Sequence, residues 1–341
     1  MKNAFINKCE NLLKNQSLKS AYSISNIFLY LISQCYRLFI FIRNCLYDLR
    51  FFKEKKASVP VISIGNVVAG GSGKTSFTML LANDLNIPVG ILSGGYMAKK
   101  KVLNKCIERP DEGDEAFLLS KKVSCARVIV GKNRTKSATI AVGLGVKYIL
   151  LDDGMQHRAL YRDLDVIVVH AKQPLDDGYF LPRGFLRDSP KRLKFADYIV
   201  IHGAKSVDEF NNISKKISKH SQAKVIGTSY LIDNVKQLYG KKVGAFCGIG
   251  HPESFYDMLK EIGCEIVSRV TLPDHSEFYD VKNFIYDCVK NGAQVIVCTE
   301  KDYVKICYYD KIVPLVVIMN VIYGEMNYKN LLDKIKILLH K

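Results

Sequence analysis

Eight consecutive residues, Val68-Ala69-Gly70-Gly71-Ser72-Gly73-Lys74-Thr75, combine a glycine-rich backbone with one cation and two hydroxyls. Glycines let backbone N–H groups turn inward around an anion, and a helix that starts there adds its partial positive charge. The chemistry is phosphate binding. Lys74 would contact the β- and γ-phosphates of a nucleotide, and the Thr75 hydroxyl would ligate Mg2+. The strict G-x4-G-K-[ST] pattern begins with glycine, whereas this chain has Val68, so Gly70 and Gly71 supply the flexibility. A second candidate is Asp152-Asp153-Gly154, which follows the apolar run Val146–Leu151. An aspartate delivered at the end of a buried strand can hold Mg2+ or a magnesium-bound water. Two adjacent carboxylates can also cap a turn.

These groups need elements to hold them. Val59–Ile64 is a short β-branched run and reads as an interior strand. Gly65-Asn66 ends it, and an apolar helical stretch, Phe77–Leu85, follows the loop. Strand, glycine-rich turn and helix form the context that a phosphate loop requires. Further apolar strands are expected at 165–169, 198–201, 243–247 and 294–298. Strands alternating with helical stretches predict an α/β fold with a parallel sheet.

The 341 residues suffice for two domains and a sizeable core. Hydrophobic residues make up 48% and charged residues 24%, which excludes a disordered or collagenous chain. Ten scattered cysteines form no C-x2-C pair, so they read as apolar fillers in a reducing compartment. No secretory signal is recognised. The net charge of +17 points to a polyanionic partner: nucleic acid, phospholipid headgroups or a phosphorylated substrate. No aromatic-basic motif supports nucleic acid.

The first 60 residues hold ten Lys/Arg against three Asp/Glu. Ile24, Phe28, Leu31, Cys35, Leu38, Ile42, Cys45 and Leu49 recur at spacings of three and four, one helix face. Asn26, Ser33, Arg37, Asn44 and Asp48 form a narrow polar stripe. A membrane span, a soluble core helix and an interfacial helix compete. The moment and charge favour the interfacial helix, with Arg37, Arg43, Arg50, Lys53, Lys55 and Lys56 facing anionic headgroups.

An ordered set of motifs carries a resemblance. It runs from Gly65-Asn66 and the loop to Gly113-Asp114-Glu115, then Asp152-Asp153-Gly154-Met155-Gln156-His157 and Leu181-Pro182-Arg183-Gly184-Phe185-Leu186-Arg187-Asp188. Gly248-Ile249-Gly250, Pro273-Asp274-His275 and Thr299-Glu300-Lys301-Asp302 complete it. From about residue 20 onward the chain resembles the tetraacyldisaccharide 4′-kinases, the lipid A 4′-kinases of Gram-negative bacteria. That resemblance implies transfer of the γ-phosphate of ATP, with Mg2+, to the 4′-hydroxyl of a tetraacylated glucosamine disaccharide 1-phosphate. The place implied is the cytoplasmic face of the inner membrane, with no obligate protein partner. The domains it implies are an N-terminal amphipathic membrane-associated helix (1–58), a P-loop ATP-binding domain (59–225), a linker (226–240) and a second, smaller α/β domain closing the cleft (241–341).

The resemblance also assigns roles. Asp114 would accept the proton of the attacking hydroxyl, paired with His275. Asn66, Gln156, His157, Arg187 and Asp188 would lie on the substrate side. Without it, Asp114 reads first as a surface residue of an acidic turn with Asp111, Glu112 and Glu115, and His275 as a loop histidine. Several positions depart from the pattern. Gly94 stands where arginine is usual, with Lys99, Lys100 or Lys101 as candidate replacements. Asp188 stands for Glu, Ser189 and Ser76 for Pro, Arg183 for a small residue, and Ser276 for a second histidine. A P-loop ATPase acting as a membrane-surface switch is the alternative reading. It would hydrolyse ATP without an acceptor and would not need Asp114 or His275.

Overall fold

The structure is a computed structural model. It describes residues 24–94, 105–108, 113–175, 178–249, 252–273, 280–306, 309 and 311–340. His275, Asp274, Ser276, Gly250, Asp111, Glu112 and Lys99 to Lys101 lie outside the described residues, as do residues 1–23.

In chain order the elements begin with α1 (Ile24–Asp48), β1 (Val61–Gly65), α2 (Lys74–Leu85), β2 (Val89–Ser93), β3 (Lys105–Cys106) and α3 (Asp114–Lys122). Next come β4 (Ala126–Val130), α4 (Arg134–Gly143), β5 (Tyr148–Asp152), β6 (Leu164–His170), β7 (Tyr198–His202), α5 (Val207–Ile217) and β8 (Lys224–Ile232). The chain continues through α6 (Val235–Leu238), β9 (Lys242–Cys247), α7 (Pro252–Glu261), β10 (Glu265–Thr271), α8 (Val281–Lys290) and β11 (Val295–Thr299). It ends with α9 (Glu300–Ile306), β12 (Ile312–Leu315), β13 (Val317–Tyr323) and α10 (Glu325–Leu339). The six strands expected from sequence are β1, β5, β6, β7, β9 and β11.

Two compact units divide the chain. One takes in Met1–Lys74, Asp153–Thr228 and Val321–Leu338; the other takes in Thr75–Asp152, Ser229–Asn320 and Leu339–Lys341. In the first unit β1, β6, β7 and β8 pair in parallel, with Ile64 opposite Val166, Ile167 opposite Ile199, and Ile199 opposite Val225. In the second, β2 lies parallel between β4 and β5, and β3 joins β4 antiparallel. The second unit also holds a smaller, all-parallel sheet of order β10-β9-β11-β12. The fold is therefore α/β with mostly parallel sheets.

Every residue of β1 and β5 is buried. Parallel strands are covered on both faces, which explains why their sequences are runs of Val, Ile and Leu with no alternation. In the first unit Val67, Val68, Met155, Ile167, Leu186 and Ile199 share one core. This explains Val68: the residue at the strict pattern's first glycine position packs inward as core.

Helix α1 behaves unlike a core helix. Ser33, Ile40 and Asn44, spaced seven and four apart, are buried. Phe28, Leu31, Leu38, Phe39, Phe41 and Ile42 are exposed, Phe28 at 62% and Leu38 at 58%. The helix thus seats part of its polar stripe on the protein and turns its apolar face outward. Arg43 corrects the expectation of a headgroup contact, because its guanidinium lies 3.3 Å from Asp188 Oδ2. Among the described residues, no helix is long and apolar enough to cross a membrane.

Gly65 ends β1 against the Asp153-Gly154-Met155 turn. A Cβ there would stand 2.8 Å from the Met155 backbone nitrogen, too close without a backbone shift. Gly65→Ala is expected to destabilise the protein by about 1–3 kcal/mol, the range for overpacking. Urea unfolding of the variant and the wild type measures it.

Candidate phosphate-binding and catalytic site

The phosphate loop grows out of β1. Gly70 and Gly73 adopt positive φ, +113° and +88°, a conformation that side chains with a Cβ rarely reach. A Cβ at Gly70 or Gly71 would meet no atom within 4 Å, so the loop borders open space. The loop's entry is pinned to the 181–188 segment. Ala69 N–H donates to Phe185 O at 2.7 Å, and Arg187 N–H donates to Val67 O at 2.8 Å. Asn66 is buried, and its Oδ1 accepts from Val68 N–H at 2.9 Å. Gln156 Nε2 donates to Asn66 O at 3.0 Å. Asn66 and Gln156 therefore brace the loop from behind.

Helix α2 starts at Lys74, so its N-terminal partial charge faces the loop. It is held by Phe77, Thr78, Leu81, Ala82 and Leu85, one buried stripe. Within the first unit Lys74 Nζ lies 3.6 Å from Asp153 Oδ1. Within the second, Thr75 Oγ1 donates to Asp152 Oδ2 at 3.3 Å. The chain passes between units at Lys74/Thr75 and again at Asp152/Asp153.

The two aspartates have different surroundings because Asp153 takes a left-handed φ of +60°. Arg187 grips Asp153 with both terminal nitrogens, Nη1 to Oδ1 at 2.9 Å and Nη2 to Oδ2 at 2.8 Å. Burial pushes the Asp153 carboxyl up, but Lys74, Arg187 and His157 outweigh it and hold it well below the usual carboxylate range. Asp152 is buried beside the Thr75 hydroxyl.

Donor chemistry tests the site's fit for its ligands. Ser72 is buried within the anion loop, and its hydroxyl has no hydrogen-bond partner among the described residues. It is a polar group in want of an acceptor, as a phosphate oxygen would be. Thr75 and Asp152 offer two hard oxygen ligands side by side. Two such oxygens suit Mg2+, which keeps several waters and takes only one or two protein oxygens beside phosphates.

Asp114 is buried at the first residue of α3, after Gly113 at φ +142°. Its Oδ2 lies 3.2 Å from Lys305 Nζ, a neighbour that spacing alone does not reveal. Asp188, expected on the substrate side, is buried and occupied structurally. It accepts from Asn44 Nδ2 at 2.9 Å and Ser189 N–H at 2.8 Å, besides its Arg43 pair. Arg134 is a further residue that the motifs leave unflagged. Its buried side chain donates to Gly131 O at 2.8 Å and Asp152 O at 3.4 Å. Its Nη2 would be 3.3 Å from a Cβ at Gly94, so the glycine at that position makes room for a guanidinium arriving from α4.

A mostly parallel α/β fold, with a glycine loop that leads from a buried strand into a helix beginning Lys74-Thr75, marks a P-loop nucleotide-binding protein. The family model described as tetraacyldisaccharide-1-P 4′-kinase matches residues 25–336. A tetraacyldisaccharide 4′-kinase of Chlamydia abortus is 36% identical over 273 residues, covering 74% of this chain and 73% of its own. One from Syntrophus aciditrophicus is 32% identical over 342 residues, covering 89% and 91%. A crystal structure of LpxK from Aquifex aeolicus in complex with ATP matches with a TM-score of 0.77 at 31% identity, covering 92% of this chain and 99% of that one. The chain belongs to the tetraacyldisaccharide-1-P 4′-kinase family.

Because the two aspartates differ, their variants should differ. Asp152→Asn is expected to raise the Mg2+ concentration for half-maximal turnover by roughly 10–100-fold, as loss of metal-site support does. Asp153→Asn should leave that requirement near wild type. Its ion pairs stabilise the fold above the ordinary carboxylate range, and this contribution is lost as pH falls through the depressed value. The Tm gap between wild type and Asp153→Asn should therefore shrink from pH 7 towards pH 3, as thermal melts would show.

Proposed function

We propose that this chain catalyses its family's reaction, transfer of the γ-phosphate of ATP to the 4′-hydroxyl of a tetraacylated disaccharide 1-phosphate, with these assignments. The backbone of Val68 to Gly73, with Lys74, holds the phosphates. Thr75 and Asp152 hold Mg2+, which when bound screens phosphate charge and so eases attack by an oxygen nucleophile. Asp153, fixed by Arg187, keeps Lys74 aimed at the loop. Lys74 and the loop amides stabilise charge developing on the transferring group. Asp114 takes the proton of the sugar hydroxyl, and His275 is its proposed partner. Arg134 supplies a cation beside Gly94. Residues 59–225 act as the ATP-binding domain, and 241–341 as a second α/β domain that closes over the substrates. The observation that carries this reading is the intact phosphate loop, with Lys74 on Asp153 and Thr75 on Asp152, in a chain that matches the family over nearly its whole length.

We further propose that the enzyme works on an anionic membrane surface, the cytoplasmic face of the bacterial inner membrane. A substrate with several acyl chains stays in the bilayer, since each buried CH2 is worth about 0.8 kcal/mol. The exposed apolar face of α1 is suited to dip into the interface beside it.

Transfer of labelled γ-phosphate from ATP to a lipid A disaccharide precursor in detergent micelles tests the reaction. Lys74→Ala should nearly abolish it. ATP hydrolysis independent of the acceptor would instead favour a membrane-surface switch ATPase. For the membrane, Leu38→Glu/Phe39→Glu should reduce co-sedimentation with anionic vesicles while leaving ATP binding intact. Equal sedimentation of variant and wild type would contradict the docking role.

A further inference from the structure

Helix α9 carries the Thr299-Glu300-Lys301-Asp302 stretch, which the assignments above leave without a role. The start of this helix is tied down firmly. Thr299 Oγ1 donates to Asp302 Oδ2 at 2.6 Å and accepts from Asp302 N–H at 3.2 Å. Asp302 Oδ2 also accepts from Gly248 N–H at 2.9 Å, which anchors the helix to the end of β9. A Cβ at position 248 would stand 3.0 Å from Asp302 Oδ1, so glycine permits this close approach.

A helix fixed in this way presents Lys301 and Lys305, four residues apart and therefore on one face, towards α3. Lys305 Nζ lies 3.2 Å and Lys301 Nζ 3.9 Å from Asp114 Oδ2. The other oxygen, Asp114 Oδ1, accepts from Glu115 N–H at 2.9 Å. On the described parts of α3 and α9, the charged groups around Asp114 are Lys301, Lys305 and Glu115. Glu115 Oε1 is 3.7 Å from Lys301 Nζ, and Lys122 pairs with Glu300 farther along. Asp114 and both lysine side chains are mostly withdrawn from solvent. Screening by water is weak there, so these pairings constrain the carboxylate more than surface pairs would.

We propose that Lys301 and Lys305 are positioning residues for Asp114, fixing the orientation of its carboxylate and holding it ionised for proton transfer. The inference rests on the reading of Asp114 as proton acceptor and deepens it. In that step the acceptor O–H proton passes to Asp114 as the acceptor oxygen bonds to the γ-phosphorus. The bond from that phosphorus to the bridging oxygen of the departing ADP breaks. Two ammonium groups within 4 Å favour the charged carboxylate. A fixed carboxylate also loses less entropy on reaching the hydroxyl.

The test is the pH dependence of phosphate transfer in the full chain, for Lys305→Met, Lys301→Met, Lys305→Arg and Asp114→Asn. Removing a cation makes the carboxylate easier to protonate, so the base is ready only at higher pH. Lys305→Met should move the acid limb of log kcat up by about one pH unit, at the low end of shifts caused by one adjacent charge. The KM for ATP should stay at its wild-type value. Lys301→Met should move the limb the same way by less, its ammonium being farther away. Lys305→Arg, which keeps the charge, should return the limb to its wild-type pH, with a lower plateau kcat because a guanidinium can grip the carboxylate with two nitrogens. An inactive Asp114→Asn together with unmoved limbs in both Met variants would overturn the positioning role and leave the proton-acceptor reading standing. A fully active Asp114→Asn would overturn both. Should Lys305→Met fail to fold, Lys301→Met with a wild-type unfolding midpoint decides the matter.

Discussion

The two-pronged grip of Arg187 on Asp153 is the constraint on which the first unit's site depends. A bidentate guanidinium–carboxylate pair fixes direction as well as distance. Asp153 then draws Lys74 to 3.6 Å, which sets the position of the cation at the phosphate loop. The backbone of the same arginine does the rest. Its N–H donates to Val67 O at 2.8 Å, and its carbonyl accepts from Tyr36 Oη of α1 at 3.2 Å. The neighbouring Asp188 binds Asn44 and Arg43. Two adjacent residues thus join the loop, its lysine and the N-terminal helix into one framework. Arg187→Lys would keep the charge and lose the fork, so it is no conservative change here.

That framework explains the inverted seating of α1. Its polar contacts with the protein are Asn44 and Arg43 on Asp188, and Asp48 with Arg158 at 2.8 Å and Arg192 at 3.0 Å, beside the buried Ile40. Most of its other apolar side chains remain exposed. Each one taken fully into an apolar phase would contribute about 1.5–3 kcal/mol. Several together would suit the peripheral anchor proposed above, and Arg37 and Arg50 are exposed on the same helix and just past its end. Because the helix is bonded to the segment that grips Asp153, the proposed anchor and the phosphate loop share one compact unit.

The loop was legible in the sequence because its requirement is local: glycines that reach positive φ, a lysine at the helix start, and a buried strand before it. The strands were legible because parallel strands buried on both faces leave uninterrupted apolar runs. The helix face was legible from its spacing, but the direction of Arg43 was not. A basic residue beside a membrane-like face reads as facing headgroups, and only the fold reveals a buried aspartate 145 positions away. Asp152 and Asp153 were indistinguishable as letters. The left-handed turn at Asp153 separates them, and no residue type announces it, since non-glycine positive φ is uncommon. Lys305 was invisible for a related reason: its meaning lies across α3, in a contact that no spacing encodes.

Three aspartates of one residue type thereby have surroundings suited to the three different tasks proposed for them. Asp153 has a guanidinium fork and an ammonium, which favour its charged form and make it a scaffold. Asp152 has a hydroxyl neighbour and a carbonyl held by Arg134, which leave it suited to a hard cation. Asp114 has one oxygen on a backbone N–H and the other beside two lysines, an arrangement that holds charge and direction together. A proton acceptor must be ionised before the reaction and must gain a proton during it, so its cations cannot grip it as Arg187 grips Asp153. Ammonium groups at 3.2 and 3.9 Å, single-point and on flexible stems, meet that demand better than a guanidinium fork would. Lysine on α9 and arginine at 187 suit the difference proposed here between a carboxylate that reacts and one that only holds.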